Sequence, residues 1–124
     1  MLKVKLEKLT AETFAPFGRF FNMIDPDGYA LEGAIHKFYP DRIWDAYGGH
    51  VGFSAIRVRR PDKMIVDSIE YHTTTGEIIL PLNDDMIIHV APASAGVPVT
   101  HLTKAFLVPR GTLVQINAAI WHLA

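Results

Sequence analysis

From His50 onward the chain is cut into short apolar runs by turn-forming residues, and this punctuation limits what it can build. HVGFSAIRVRR (residues 50–60) stops at Pro61-Asp62, and MIVDSIEYH (64–72) stops at the Thr-Thr-Thr-Gly of residues 73–76. EIILPL (77–82) stops at Asn83-Asp84-Asp85, and MIIHVAP (86–92) runs into a loop rich in Pro and Ala. KAFLVPRG (104–111) carries a strand and a turn, TLVQIN (112–117) is a sixth strand, and AAIWHLA (118–124) follows. Short β-prone runs at regular spacing with turn signals between them predict an all-β sandwich or barrel. No long amphipathic helical period is present after residue 20.

The first fifty residues are less regular. Val4 and Leu6 alternate with Lys3, Lys5 and Glu7, which predicts a short half-buried strand. Thr10 is placed to cap a short helical turn that Pro16 and Gly18 end. Residues 22–35 are rich in turn formers, with Asp25-Pro26-Asp27-Gly28 a turn by its chemistry, and a short strand is expected near residues 35–39. The 124 residues are read as one domain, 1–124, long enough to bury roughly two-thirds of the unfolded surface without staples. A net charge of −1 with dispersed Lys and Arg gives no footprint for nucleic acid or a membrane surface. The absence of cysteine excludes disulfides and thiol nucleophiles. No apolar run spans a bilayer and the N-terminus has no apolar signal-peptide core, so the expected location is the cytoplasm. The chain stops just after a Trp-His that reads as a strand start. The expectation is of a missing final strand, an open sheet edge and a homodimer that covers it.

The segment EYHTTTGEIILPL (70–82) sets Glu70, His72 and Glu77 within eight positions of a β-prone stretch. Buried acids are costly unless paired, hydrogen-bonded or bound to a cation, so these groups either face solvent or line a site. Strand alternation puts Glu70 and His72 on one face, about 7 Å apart. Glu77 opens the next, antiparallel strand and can return its carboxylate towards His72, and His122 arrives after a later strand and turn. Plainer readings stand beside this one. Glu70 and Glu77 can be surface carboxylates, His72 a structural histidine, and Lys104 a side chain that snorkels to water. His89 is expected to be structural. His36, His50 and His101 belong to loops or edges, and Arg57, Arg59 and Arg60 to a solvated strand end. Phe38, Tyr39, Trp44 and Tyr47 are expected in the core or at a dimer contact.

E-Y-H-T-T-T-G-E, then P-R-G-T-L-V-Q-I-N-A-A-I-W-H, resembles the two cupin motifs, His-x-His with a following Glu and a later His after a Pro-x-Gly turn. By that resemblance His72 takes the second His, Glu77 the Glu and His122 the last His, while Glu70 departs from the pattern at the first. Two His and two Glu would suit Mn, Fe, Ni or Zn. More narrowly, FAPFG (14–18), EYH (70–72), IILPL (78–82), the strand before VAP (90–92), TKAFLVPRG (103–111) and IWH (120–122) resemble the ureidoglycolate lyase family, also called ureidoglycolate hydrolase. Glu70 and His72 match its Glu-x-His, Trp121 and His122 its Trp-His. Lys104 stands where the family usually has Arg, and Leu123 where it usually has a second His.

The resemblance implies a cupin-type double-stranded β-helix, or jelly roll, with a short N-terminal helical turn. It implies release of urea from ureidoglycolate to give glyoxylate, in allantoin and purine breakdown. It assigns catalysis to Glu70, His72, Glu77 and His122, with the same four as ligands if a divalent metal is bound, and contacts to a small anionic substrate to Lys104 and Trp121. Two alternatives remain open at this point: a non-catalytic cupin that binds a small acid or sugar, and a metal-dependent cupin acting on another small acid.

Overall fold

In the computed structural model, which describes residues 1–123, almost all regular structure is β. Strands β1 (Leu6–Lys8) and β2 (Gly18–Asn22) flank a single helical turn α1 (Ala11–Phe14). A small hairpin of β3 (Leu31–Glu32) and β4 (Lys37–Phe38) follows, then β5 (Glu77–Ile79), β6 (Met86–Ala91), β7 (Lys104–Val108), β8 (Thr112–Ile116) and β9 (Trp121–Leu123). Two sheets make the body, one ordered β1-β7-β6-β9 and the other β2-β8-β5. The pairings are antiparallel except for β1 with β7. This is the all-β layered arrangement expected of a jelly roll. No helix among the described residues is long and apolar enough to cross a membrane.

The core lies between the two sheets because the strands alternate. Ile88 and Val90 of β6, Phe106 and Val108 of β7, and Val114 and Ile116 of β8 are all fully buried, whereas Leu107 and the β6 residues Ile87 and His89 are partly exposed. α1 closes one end. The Thr10 side chain accepts the Thr13 amide as its N-cap, as its sequence position predicts. That turn delivers Phe14 edge-on to Phe106, with centroids 5.3 Å apart and planes at 89°. Each such aromatic, fully removed from water, contributes about 1.5–3 kcal/mol.

Two features differ from the sequence reading. Residues 18–22 form β2, which pairs along its whole length with β8, a strand that the sequence reading did not assign. Conversely, residues 50–60 form no strand, and the run 64–72 contributes one isolated bridge, Glu70 with His122. Alternation alone does not make a strand. A strand also needs a neighbouring edge to take its N–H and C=O groups, and residues 50–60 pair with none of the sheet strands.

Candidate functional site

The site lies where the bridge at Glu70 meets β9 and β5. Glu70 and His122 exchange both backbone hydrogen bonds, Glu70 N–H to His122 O at 2.9 Å and His122 N–H to Glu70 O at 2.7 Å. The turn before β9 holds Ala119 in the left-handed region, φ 67°, a conformation that costs free energy for a residue with a side chain. There the Ala119 amide donates to His72 O at 2.7 Å, and the Asn117 amide to Phe17 O at 2.8 Å. Backbone contacts therefore bind the His72 and His122 segments together before any side chain is considered. Register does the rest. Glu77 stands opposite Ile116 and His122 opposite Val90, both core-facing, so both polar side chains enter the space between the sheets.

Glu70, His72, Glu77 and His122 each offer a ligand atom, and these atoms all lie within 4.8 Å of one another. Glu77 Oε2 sits 2.8 Å from His72 Nε2 and 3.2 Å from His122 Nε2, and the two imidazole centroids are 5.2 Å apart. His122 is buried, His72 and Glu77 are half-buried and Glu70 is exposed, so the cluster has a dry floor and an open mouth.

The hydrogen bonds restrict protonation. His122 Nδ1 lies 2.8 Å from the Ile120 carbonyl, which can only accept, so Nδ1 carries the proton. In a neutral ring His122 Nε2 is then a bare lone pair facing the Glu77 carboxylate. Two acceptors at that separation require one more positive charge between them, either a proton or a metal cation. A ring whose Nδ1–H is held by a backbone carbonyl and whose Nε2 faces carboxylates is also the usual setting of a metal-binding histidine. The donor set, two imidazole nitrogens and two carboxylates, fits a divalent transition metal.

The other candidates stand apart from this cluster. Lys104, on β7, is opposite Val90, which in turn is opposite His122. It therefore shares the sheet face of His122 two strands away, with its ammonium 3.8 Å from Glu7. Trp121 turns to the other face of β9. Its indole N–H donates to Ser94 Oγ at 2.9 Å and its ring packs on Tyr71 at 4.2 Å. His89 reaches the Ser68 carbonyl at 3.2 Å. Burial holds its imidazole below the ordinary value of 6.5, the Ser68 bond opposing and His122 reinforcing the shift. Arg57, Arg59 and Arg60 remain exposed in irregular chain. The residue that sequence reasoning missed is Asp45, which touches the turn between His72 and Glu77 across 30 positions of chain. No local pattern marks it.

A family model described as Ureidoglycolate lyase matches residues 1–124. The ureidoglycolate lyase of Rhodobacter capsulatus is 30% identical over 126 residues, covering 98% of this chain and 77% of that protein. The ureidoglycolate lyases of Pseudomonas aeruginosa and Pseudomonas paraeruginosa are each 25% identical over 128 residues, covering 98% of this chain and 75% of theirs. Matched from end to end by the family model, and by a relative at 30% identity, the chain belongs to the ureidoglycolate lyase family.

Proposed function

We propose that this protein releases urea from ureidoglycolate to give glyoxylate. The observation that carries the reading is the meeting of two imidazoles and two carboxylates, brought from positions 70 to 122, in one partly buried cluster. The relatives' shared name supplies the substrate.

The substrate carries a hydroxyl, a carboxylate and a ureido nitrogen on one carbon. Elimination removes the hydroxyl proton, makes that C–O bond double, breaks the C–N bond and returns a proton to the departing nitrogen. A carboxylate or imidazole suits each transfer. Glu70, the exposed carboxylate at the mouth, is assigned as base. His72 is assigned as the acid, its ring oriented by the 2.8 Å contact of Nε2 with Glu77, with Nδ1–H giving the proton to the departing nitrogen. His122, fixed in one tautomer by Ile120, holds Glu77 from the buried side. Lys104, on the same sheet face, is assigned to the substrate carboxylate. If Glu70, His72, Glu77 and His122 held a divalent ion, they would serve as its ligands, and it would supply Lewis-acid polarisation of the substrate oxygens in place of the acid and base roles of His72 and Glu70.

Purified protein incubated with ureidoglycolate should produce glyoxylate well above the spontaneous rate, and no excess ends the proposal. Glu70→Gln and His72→Asn should each lower kcat by about 10²–10⁴-fold. Lys104→Met should act mainly on KM.

A further inference from the structure

We infer that Asp45 is a positioning residue for the Glu70, His72, Glu77 and His122 cluster, acting through the turn at residues 73–76. The inference rests on the functional reading above and deepens it. Asp45 lies in irregular chain, yet both of its carboxylate oxygens are engaged. Oδ2 lies 3.2 Å from Thr75 Oγ1, whose single hydrogen is shared with the Gly76 carbonyl at 3.0 Å, and Oδ1 accepts from Gln115 Nε2 at 3.4 Å. Thr75 belongs to the short turn that joins His72 to Glu77. Gln115 lies within the central strand β8 and is only 2% exposed.

The amide orientation of Gln115 follows from its partners. Nε2 donates to Asp45 and, at 3.1 Å, to the Ile116 carbonyl. The reversed amide would press its oxygen against two acceptors, a worse arrangement even though Gln115 Oε1 is left buried without a partner. Between Thr75 and β5 stands Gly76. A Cβ there would fall 2.4 Å from the Ile116 carbonyl oxygen and 2.9 Å from both Asp45 Oδ1 and Gln115 Nε2. The turn is thus pressed directly onto β8, with the Asp45 carboxylate closing over it. One residue further on, Glu77 pairs with Ile116.

His72 and Glu77 are half-exposed, and their 2.8 Å contact is only as constant as the backbone of the turn between them. Asp45 fixes that backbone from outside the pocket without touching the cluster. Anchoring its own loop is already served next door, where the Arg19 guanidinium lies 4.7 Å from the centroid of the Trp44 ring. A carboxylate at position 45 offers two acceptors to two donors. Asparagine can serve one of them, and alanine neither.

The test uses the full chain with Asp45→Ala, Asp45→Asn, Thr75→Val and the Asp45→Ala/Thr75→Val pair, and Glu77→Gln as the limit in which the His72 contact is altered directly. The readouts are the ring-nitrogen NMR signals of His72 and His122, thermal unfolding, and glyoxylate production. In folded Asp45→Ala and Thr75→Val the His72 ring signals should move towards those of Glu77→Gln. Production should fall about 10–100-fold through kcat with KM little changed. The pair should be no worse than the poorer single variant, as expected when both act through one contact. Asp45→Asn should recover part of the loss. Unchanged His72 ring signals in folded Asp45→Ala and Thr75→Val overturn the inference, as do fully additive losses in the pair. A wild-type chain that makes no glyoxylate overturns the functional reading alone, because the ring signals still decide the role of Asp45.

Discussion

Residues 86–116 and residues 51–66 are both rich in Val and Ile in short β-prone runs, yet they reach different ends. The first stretch contains β6, β7 and β8, each paired on both sides, and its alternate residues form the core. The second has no strand, and it leaves Phe53 96% and Ile56 83% exposed. Strand formation is a property of pairs. A run of the right composition gains little until a neighbour takes its hydrogen bonds and covers its side chains. The three arginines and the Pro61-Asp62-Lys63 break within the second stretch give it no continuous apolar face to offer. The site sits at the boundary between these regimes. Glu77 and His122 come from the sheets, whereas Glu70 ends the loose stretch and is held by its two backbone bonds to His122.

The contrast is sharpest for the two phenylalanines. Phe106→Ala should destabilise by about 3–5 kcal/mol through the cavity it leaves, while Phe53→Ala should change stability by no more than about 0.5 kcal/mol. Urea unfolding measures both, and a loss of several kcal/mol for Phe53→Ala would break the comparison. A smaller contrast uses glycine. A Cβ at Gly18 would lie 1.8 Å from the Gln115 carbonyl oxygen, so Gly18→Ala must displace β2 from β8 and should cost about 1–3 kcal/mol. At Gly52 nothing lies within 4 Å, and Gly52→Ala should be neutral or slightly stabilising, by up to about 1 kcal/mol. Equal midpoints for the two variants would mean that β2 is not packed as described.

Loss of the α1 cap in Thr10→Ala should cost about 1 kcal/mol, visible as a lower melting temperature with the fold retained. The smallest effect concerns His89, whose contact with Ser68 ties the first region to the chain just after the second. Its pKa is lower folded than unfolded, so the unfolded chain binds more protons once pH falls below about 6.5. Its contribution to stability is therefore intact above that pH, declines below it, and levels off below the depressed folded value. His89→Gln should flatten that part of the profile of melting temperature against pH. An unaltered slope would show that His89 is not buried against Ser68.

Much of the site could be read from local spacing. Glu70 and His72 alternate onto one face, and a four-residue turn returns Glu77 to them, because two-residue periodicity and turn chemistry act over a few positions. His122 was legible only by its likeness to a family pattern, since nothing local ties it to position 72. Lys104 and Trp121 were legible as residue types but not as placements. The pairing of β7 with β6 and the outward face of β9 decide where they go.

By itself the sequence determined the all-β class, the capped turn at Thr10, the strands from Glu77 onward and the short-range part of the polar cluster, because these depend on periodicity and on turn and cap chemistry within about ten residues. Tertiary structure alone decided that residues 18–22 become a strand, that 50–60 do not, that His122 meets Glu77, and that Asp45 reaches Thr75. Each of these is a choice of partner. A chain's local pattern states what a segment can offer, whereas which edge or side chain accepts the offer depends on the rest of the molecule having closed around it.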